Sequence, residues 1–184
     1  MGHCPAVPRT CQPYMIALAV TLLLAPPSLT HAQAAVGLGF TRQHVSAGNR
    51  RESLNGYSLD LAIRIAPRLG LLIGAEQIGH GGSTTRDEFS VQSFRTGLQL
   101  LVVRSRVVDL SFSTGVGLHT LELDREEDGA GATAFVQAQV AFHPLPVVGL
   151  YIGGIAQSLD GFGRSIGGST LGFNFGLQLR GDGW

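Results

Sequence analysis

The residues best suited to proton transfer or nucleophilic attack in this chain are Ser93, His119 and Glu76. A hydrolase needs such a set, with a hydroxyl activated by an imidazole and the imidazole oriented by an acid, and it is recognised by geometry rather than by order in the chain. Ser113 lies on the same strand face as His119, but six residues at about 3.4 Å each hold them roughly 20 Å apart. A serine can therefore reach His119 only across strands, and the turn spacing places Ser93 diagonal to His119 with Glu76 close to Ser93. The other histidines of the body, His44, His80 and His143, fall at strand ends or in loops without metal-ligand spacing, and solvated positions are expected for them. The acidic run from Asp124 to Asp128 has the donors for a divalent cation but reads as a solvated loop tip. Gly79 to Gly82 and Gly161-Phe162-Gly163 follow strands without opening helices, so they are not phosphate cradles. No cofactor and no metal is indicated.

A second set has the residue types for buried ion pairs: Asp60, Arg64, Glu76, Arg95, Asp109 and Arg180. Each sits in a stretch of strict alternation, on the face opposite the large apolar side chains. Leu171 to Arg180 is the clearest case, with Leu171, Phe173, Phe175, Leu177 and Leu179 on one face and Gly172, Asn174, Gly176, Gln178 and Arg180 on the other. The same period appears near 36–44, 57–65, 69–77, 94–102, 108–119, 134–142 and 148–157, the last weakened by Gly153-Gly154. Phe89 and Val91 fall out of phase with the apolar face that follows them, which suggests a bulge or a loop-packing role. No segment has a helical period, so the fold class is all-β.

Connection lengths alternate. Ala66-Pro67-Arg68, Arg104-Ser105-Arg106 and His143-Pro144-Leu145-Pro146 are short, whereas 46–56, 79–90, 122–132 and 158–169 are long and polar. All short turns then lie at one end of a meander, the asymmetry of an eight-stranded antiparallel up-and-down transmembrane β-barrel. Closure removes the unpaired edges that hydrocarbon does not tolerate. Eight strands leave a bore just wide enough for side chains to fill, so inward glycines are expected beside inward charges. A turn centred on Pro67 sets Arg64 opposite Gly70 and Asp60 opposite Gly74; one centred on Ser105 sets Arg95 opposite Gly115. Glu76 and Arg95 face inward from adjacent strands and are the expected internal ion pair.

The apolar run Met15 to Ala25, followed by Pro26-Pro27 and Ala32-Gln33-Ala34, has the layout of a secretory signal peptide, giving a leader over 1–34 and a barrel domain over 35–184. Both cysteines, Cys4 and Cys11, lie in that leader. Of 13 Lys plus Arg, all are arginine, and loss of Arg9 leaves 12 against 13 acidic residues, a balance with no footprint for nucleic acid.

From about Val36 to Arg180 the chain resembles the small eight-stranded outer-membrane β-barrel proteins, OmpA-like and OmpX-like in architecture, on its alternation, loop asymmetry and leader. That resemblance implies outer-membrane localisation, lipid and the barrel-assembly machinery as partners, and a monomer with a structural, adhesive or minor permeability role. Members commonly end on an aromatic in phase with the last strand's apolar face; Trp184 is terminal but out of phase with Phe173 and Phe175. Tyr57, Phe40, Phe142, Tyr151 and Trp184 are the candidate girdle aromatics. Two other readings stand beside it. Ser93, His119 and Glu76 at the outer rim would resemble the lipid A deacylase barrels, an outer-membrane hydrolase. A soluble secreted barrel would instead bind an apolar ligand inside.

Overall fold

The structure, a computed structural model, describes residues 34–47, 50–79, 89–123, 129–161 and 167–181. The expected leader apart from its last residue, Ala34, which opens the first strand, together with the acidic run at 124–128 and Trp184, lies outside the described residues. Eight strands follow one another: β1 (Ala34–Ala47), β2 (Arg50–Ala66), β3 (Leu69–Gly79), β4 (Phe89–Arg104), β5 (Val108–Leu123), β6 (Gly129–Phe142), β7 (Val148–Gly161) and β8 (Gly168–Arg180). Each pairs antiparallel with its sequence neighbours, and β8 closes on β1. The expected all-β up-and-down barrel is what the chain forms.

Registers fix the barrel's shape. Partner steps from Ala35 run through Ala62, Leu72, Gly97, Gly115, Phe135, Gln157 and Thr170 to Val45, ten residues further along β1. A shear of ten on eight strands tilts them by roughly 40°, and level positions on adjacent strands differ by about one and a quarter residues. Exposed side chains then form a continuous apolar belt, with Val102, Phe142 and Leu150 at its lower rim and Tyr57, Phe94, Leu118 and Leu171 at its upper rim. Ten residues along a strand tilted this way rise about 25 Å, the height of the apolar band on membrane barrels. Phe40 joins the upper part of the belt, its ring 6.1 Å from Tyr57 and 5.5 Å from Phe175 between centroids.

The strands outrun the expected ones at the end away from the short turns. β2 begins at Arg50, not Tyr57, β4 at Phe89 and β6 at Gly129. The expected long loop at 46–56 is therefore strand on both sides of residues 48–49. Phe89 and Val91 mark no bulge: they continue the inward phase of Ser93 and Arg95 and are buried. The irregularities lie at the opposite end, between Arg64 and Ala66 and between Leu101 and Val103.

The β4–β5 turn corrects a second expectation. Ser105 Oγ accepts the backbone N–H groups of Val107 and Val108 at 3.2 and 2.8 Å and donates to Val108 O at 2.9 Å. The resulting turn pairs Arg104 with Asp109, and after the slip at Leu101/Val103 Arg95 stands opposite Gly117 rather than Gly115. Arg64 opposite Gly70 and Asp60 opposite Gly74 are as the Pro67 turn requires. Gly153-Gly154 does not interrupt β7.

Candidate functional site

The chemistry-bearing residues converge in the lumen. At mid-height Arg95, wholly inaccessible to solvent, donates from Nη2 to Asp60 Oδ1 at 3.0 Å and from Nη1 to Glu76 Oε2 at 2.9 Å. The guanidinium fork suits two carboxylates presented by neighbouring strands β2 and β3. Its Cζ lies 5.6 Å from the ring centre of Phe135 on β6, a cation–π contact. Glu76 Oε1 also accepts from the side-chain amides of Gln43 and Gln157, the latter at 3.4 Å, and Gln43 donates to Thr41 Oγ1 at 3.3 Å. The cluster around Arg95 and Glu76 thus ties together side chains from six strands. Gly74 is what lets it cross: a Cβ there would stand 2.5 Å from Asp60 Oδ1 and 2.8 Å from Arg95 Nε.

A separate charged plate closes the short-turn end. Arg180 donates to Asp109 Oδ2 at 3.0 Å, to Pro146 O at 2.9 Å and to Arg106 O at 2.9 Å. The last strand is thereby anchored to two turns and to β5. His143 is buried here, its Nδ1 3.8 Å from Asp109 Oδ2, so it does not occupy the solvated position expected of it. Burial first, and then the Arg180 charge, push its imidazole below the ordinary histidine range, while Asp109 pulls the other way. The six expected network residues therefore divide: Asp60, Glu76 and Arg95 meet in one cluster and Asp109 and Arg180 in another. Arg64 projects inward near the lower end, half-buried.

Above the middle cluster the lumen changes character. Val45, Ala47, Leu54, Ile78, Phe89, Val91, Leu121 and Leu159 form a buried apolar cluster across six strands. Around the same levels most outward side chains are polar or charged, among them Arg42, His44, Arg51, Ser53, Asn55, Gln92 and Thr120, while β6 presents Ala130 and Ala132. Polarity is thus inverted within single strands. Alongside the belt the barrel is greasy outside and mainly polar inside, around a smaller apolar cluster of Ala35, Ala62, Leu72, Leu101 and Phe135; beyond it, the inside is greasy and the outside mostly polar. The second arrangement is that of a barrel standing in water.

The nucleophilic set does not assemble. Ser93 stands directly opposite both Glu76 and His119 in register, closer than the expected diagonal. Yet Glu76 is committed to Arg95, Gln43 and Gln157, and neither Ser93 nor Glu76 hydrogen-bonds the His119 ring. All three side chains are buried in the lumen just below or within the apolar cluster.

Three lumen residues were not foreseen in their roles. Tyr151, expected in an aromatic girdle, faces inward and is 4% exposed, because β7 is apolar on both faces and period alone does not say which is inner. Its ring lies over Gly37 and Gly39, and a Cβ at Gly39 would collide with the phenol oxygen. Gln43 and Gln157 complete the Glu76 carboxylate, and their inward phase with Thr41 and Ile155 was the available signal.

Comparison with solved structures shows the same architecture. Neisserial surface protein A superposes with a TM-score of 0.70 at 10% identity, over 81% of this chain and 97% of that one. The chain has the fold of the small eight-stranded outer-membrane β-barrels. Ail, the attachment invasion locus protein of Yersinia pestis, gives a TM-score of 0.56 at 14% identity over 81% of this chain and 99% of its own. The outer membrane protein OprG of Pseudomonas aeruginosa gives 0.55 at 10% identity, over 84% and 98%. No protein-family model and no curated protein matches the sequence.

Proposed function

We propose that this chain is an outer-membrane barrel, exported by a cleaved leader, monomeric and folded by the barrel-assembly machinery, with a structural or adhesive role rather than a permeability role. The observation that supports this most directly is the inversion of polarity. Diffusion along the lumen meets the Asp109–Arg180 plate, then the Asp60–Arg95–Glu76 cluster, then a dry apolar cluster closed by Phe89 and Leu121. Stripping an ion of water to pass such a cluster is prohibitive. The same inversion favours display: a second storey of strand stands beyond the belt and offers a polar outer wall. Among proteins of like fold, one carries attachment and invasion in its name, which supports an adhesive reading by analogy of fold. The hydrolase reading has no such support, since Ser93 and His119 face a closed interior.

Two measurements test the reading. Purified barrel in planar bilayers is expected to give no unitary current above background, and stable discrete openings would overturn the sealed lumen. Heat-modifiable migration in detergent gels of purified outer membranes is expected; recovery in the aqueous phase without detergent would overturn the membrane placement.

A further inference from the structure

The outer wall of β8, β1, β2 and β3 is unlike the rest of the barrel where the belt ends. Arg42 projects outward one inward–outward period above Phe40. Its register partners are Asn55 on β2 and Phe173 on β8. His44 follows on the same face, with its Nδ1 3.3 Å from Ser53 Oγ, and Arg51 lies two residues beyond Ser53 on β2. All five polar side chains are exposed. The outward positions of these four strands carry no carboxylate among the described residues. Immediately beneath stand the exposed Tyr57 and Phe173 and the half-buried Phe40.

A cation at this level, with no outward carboxylate on these strands among the described residues (Glu52 lies on the inward phase of β2) and a patch of aromatic and aliphatic side chains directly below, matches one kind of molecule. Acyl chains fit the aromatic patch; a phosphate fits Arg42, which offers a planar fork of N–H donors to it. Sugar hydroxyls fit Asn55, Ser53 and His44. We infer that Arg42, His44, Ser53, Asn55 and Arg51 form a binding site for a phosphorylated glycolipid of the outer leaflet, with Arg42 on the phosphate nearest the acyl chains and Arg51 reaching a group further out. The site rests on the placement of the belt in the membrane given above. It lies entirely outside the lumen and needs no pore. It also gives the outer storey an orientation relative to the leaflet, by holding one side of the wall to a headgroup.

The full-length mature barrel in detergent, titrated with bis-phosphorylated lipid A and read by native mass spectrometry, tests the site. Wild type is expected to bind lipid A at least tenfold more tightly than the same lipid with its phosphates removed. Arg42→Gln is expected to weaken binding about tenfold, Arg42→Gln with Arg51→Gln further, and Arg42→Lys to retain most of the affinity. Arg68→Gln, an exposed arginine in the short β2–β3 turn, is expected to leave binding unchanged. Each variant is first shown to be heat-modifiable, so that loss of binding is not loss of fold. Undiminished affinity in the double variant, equal loss in Arg68→Gln, or indifference to the phosphates overturns the site while leaving the membrane placement intact. A barrel that needs no detergent overturns the placement itself.

Discussion

Arg95 concentrates the energetics of the lumen in one side chain. It is wholly buried, and two carboxylates share its guanidinium. Such a cluster contributes little over a well-packed apolar replacement, but breaking it from one side strands charge in a low-dielectric interior. Arg95→Met is therefore expected to destabilise the barrel by about 3–5 kcal/mol. Adding Asp60→Asn and Glu76→Gln is expected to recover much of that loss, because the stranded charges are gone. Urea unfolding followed by far-UV circular dichroism in detergent measures both; equal stability of the single and triple variants would contradict an uncompensated-charge origin. The pairing of Glu76 with Arg95 was legible because both are inward, charged and on neighbouring strands. The equal claim of Asp60 on the same guanidinium was not, since Asp60 lies two strands away and is reached across Gly74.

At the scale of the strand, the sequence is legible where the two faces differ in the familiar sense and misleading where they exchange. In β2, Leu59 to Ile65 alternate against Asp60, Ala62 and Arg64 and read at once as strand. Arg51, Glu52, Ser53, Leu54 and Asn55 read as a polar loop, because only Leu54 is apolar and its partners Val45 and Ile78 come from other strands. Phe89 and Val91 looked out of phase for the same reason: they keep the inward phase of β4 after that face has turned from polar to apolar. Turn length was the other blind spot. The Ser105 side chain builds a turn longer than the residue count suggests, and the Arg95 register moved with it. Inversion makes a sharp contrast within β4. Phe89→Ala opens a cavity in the dry cluster and is expected to cost about 3–5 kcal/mol. Phe94→Ala, five residues on, removes a ring that is 54% exposed on the belt and is expected to cost much less. Paired urea titrations decide it, and similar losses for the two would mean that the outer lumen is not a packed core.

For the molecule as a whole, one question separates a membrane barrel from a soluble one: which medium meets the belt. Its side chains are exposed in either case, so burial alone does not answer. The height of the belt, about 25 Å, and the change to polar outward residues at a common level on most strands, with β6 carrying the small Ala130 and Ala132 there, are what a slab of hydrocarbon demands. A soluble barrel has no reason to place that change at one level. Cost should then depend on depth rather than on exposure. Leu98 and Gln92 both point outward from β4, six residues apart, Leu98 near the middle of the belt and Gln92 above its rim. In a bilayer, Leu98→Arg is expected to destabilise by roughly 2–4 kcal/mol and Gln92→Arg by about 0–1 kcal/mol. In water both arginines would sit on an exposed surface and cost alike. Reversible unfolding from phospholipid vesicles, compared with unfolding of any detergent-free form, reads the difference directly. A flat profile between the two positions would put the belt in water and leave its exposed leucines, isoleucines, valines and phenylalanines without a physical reason.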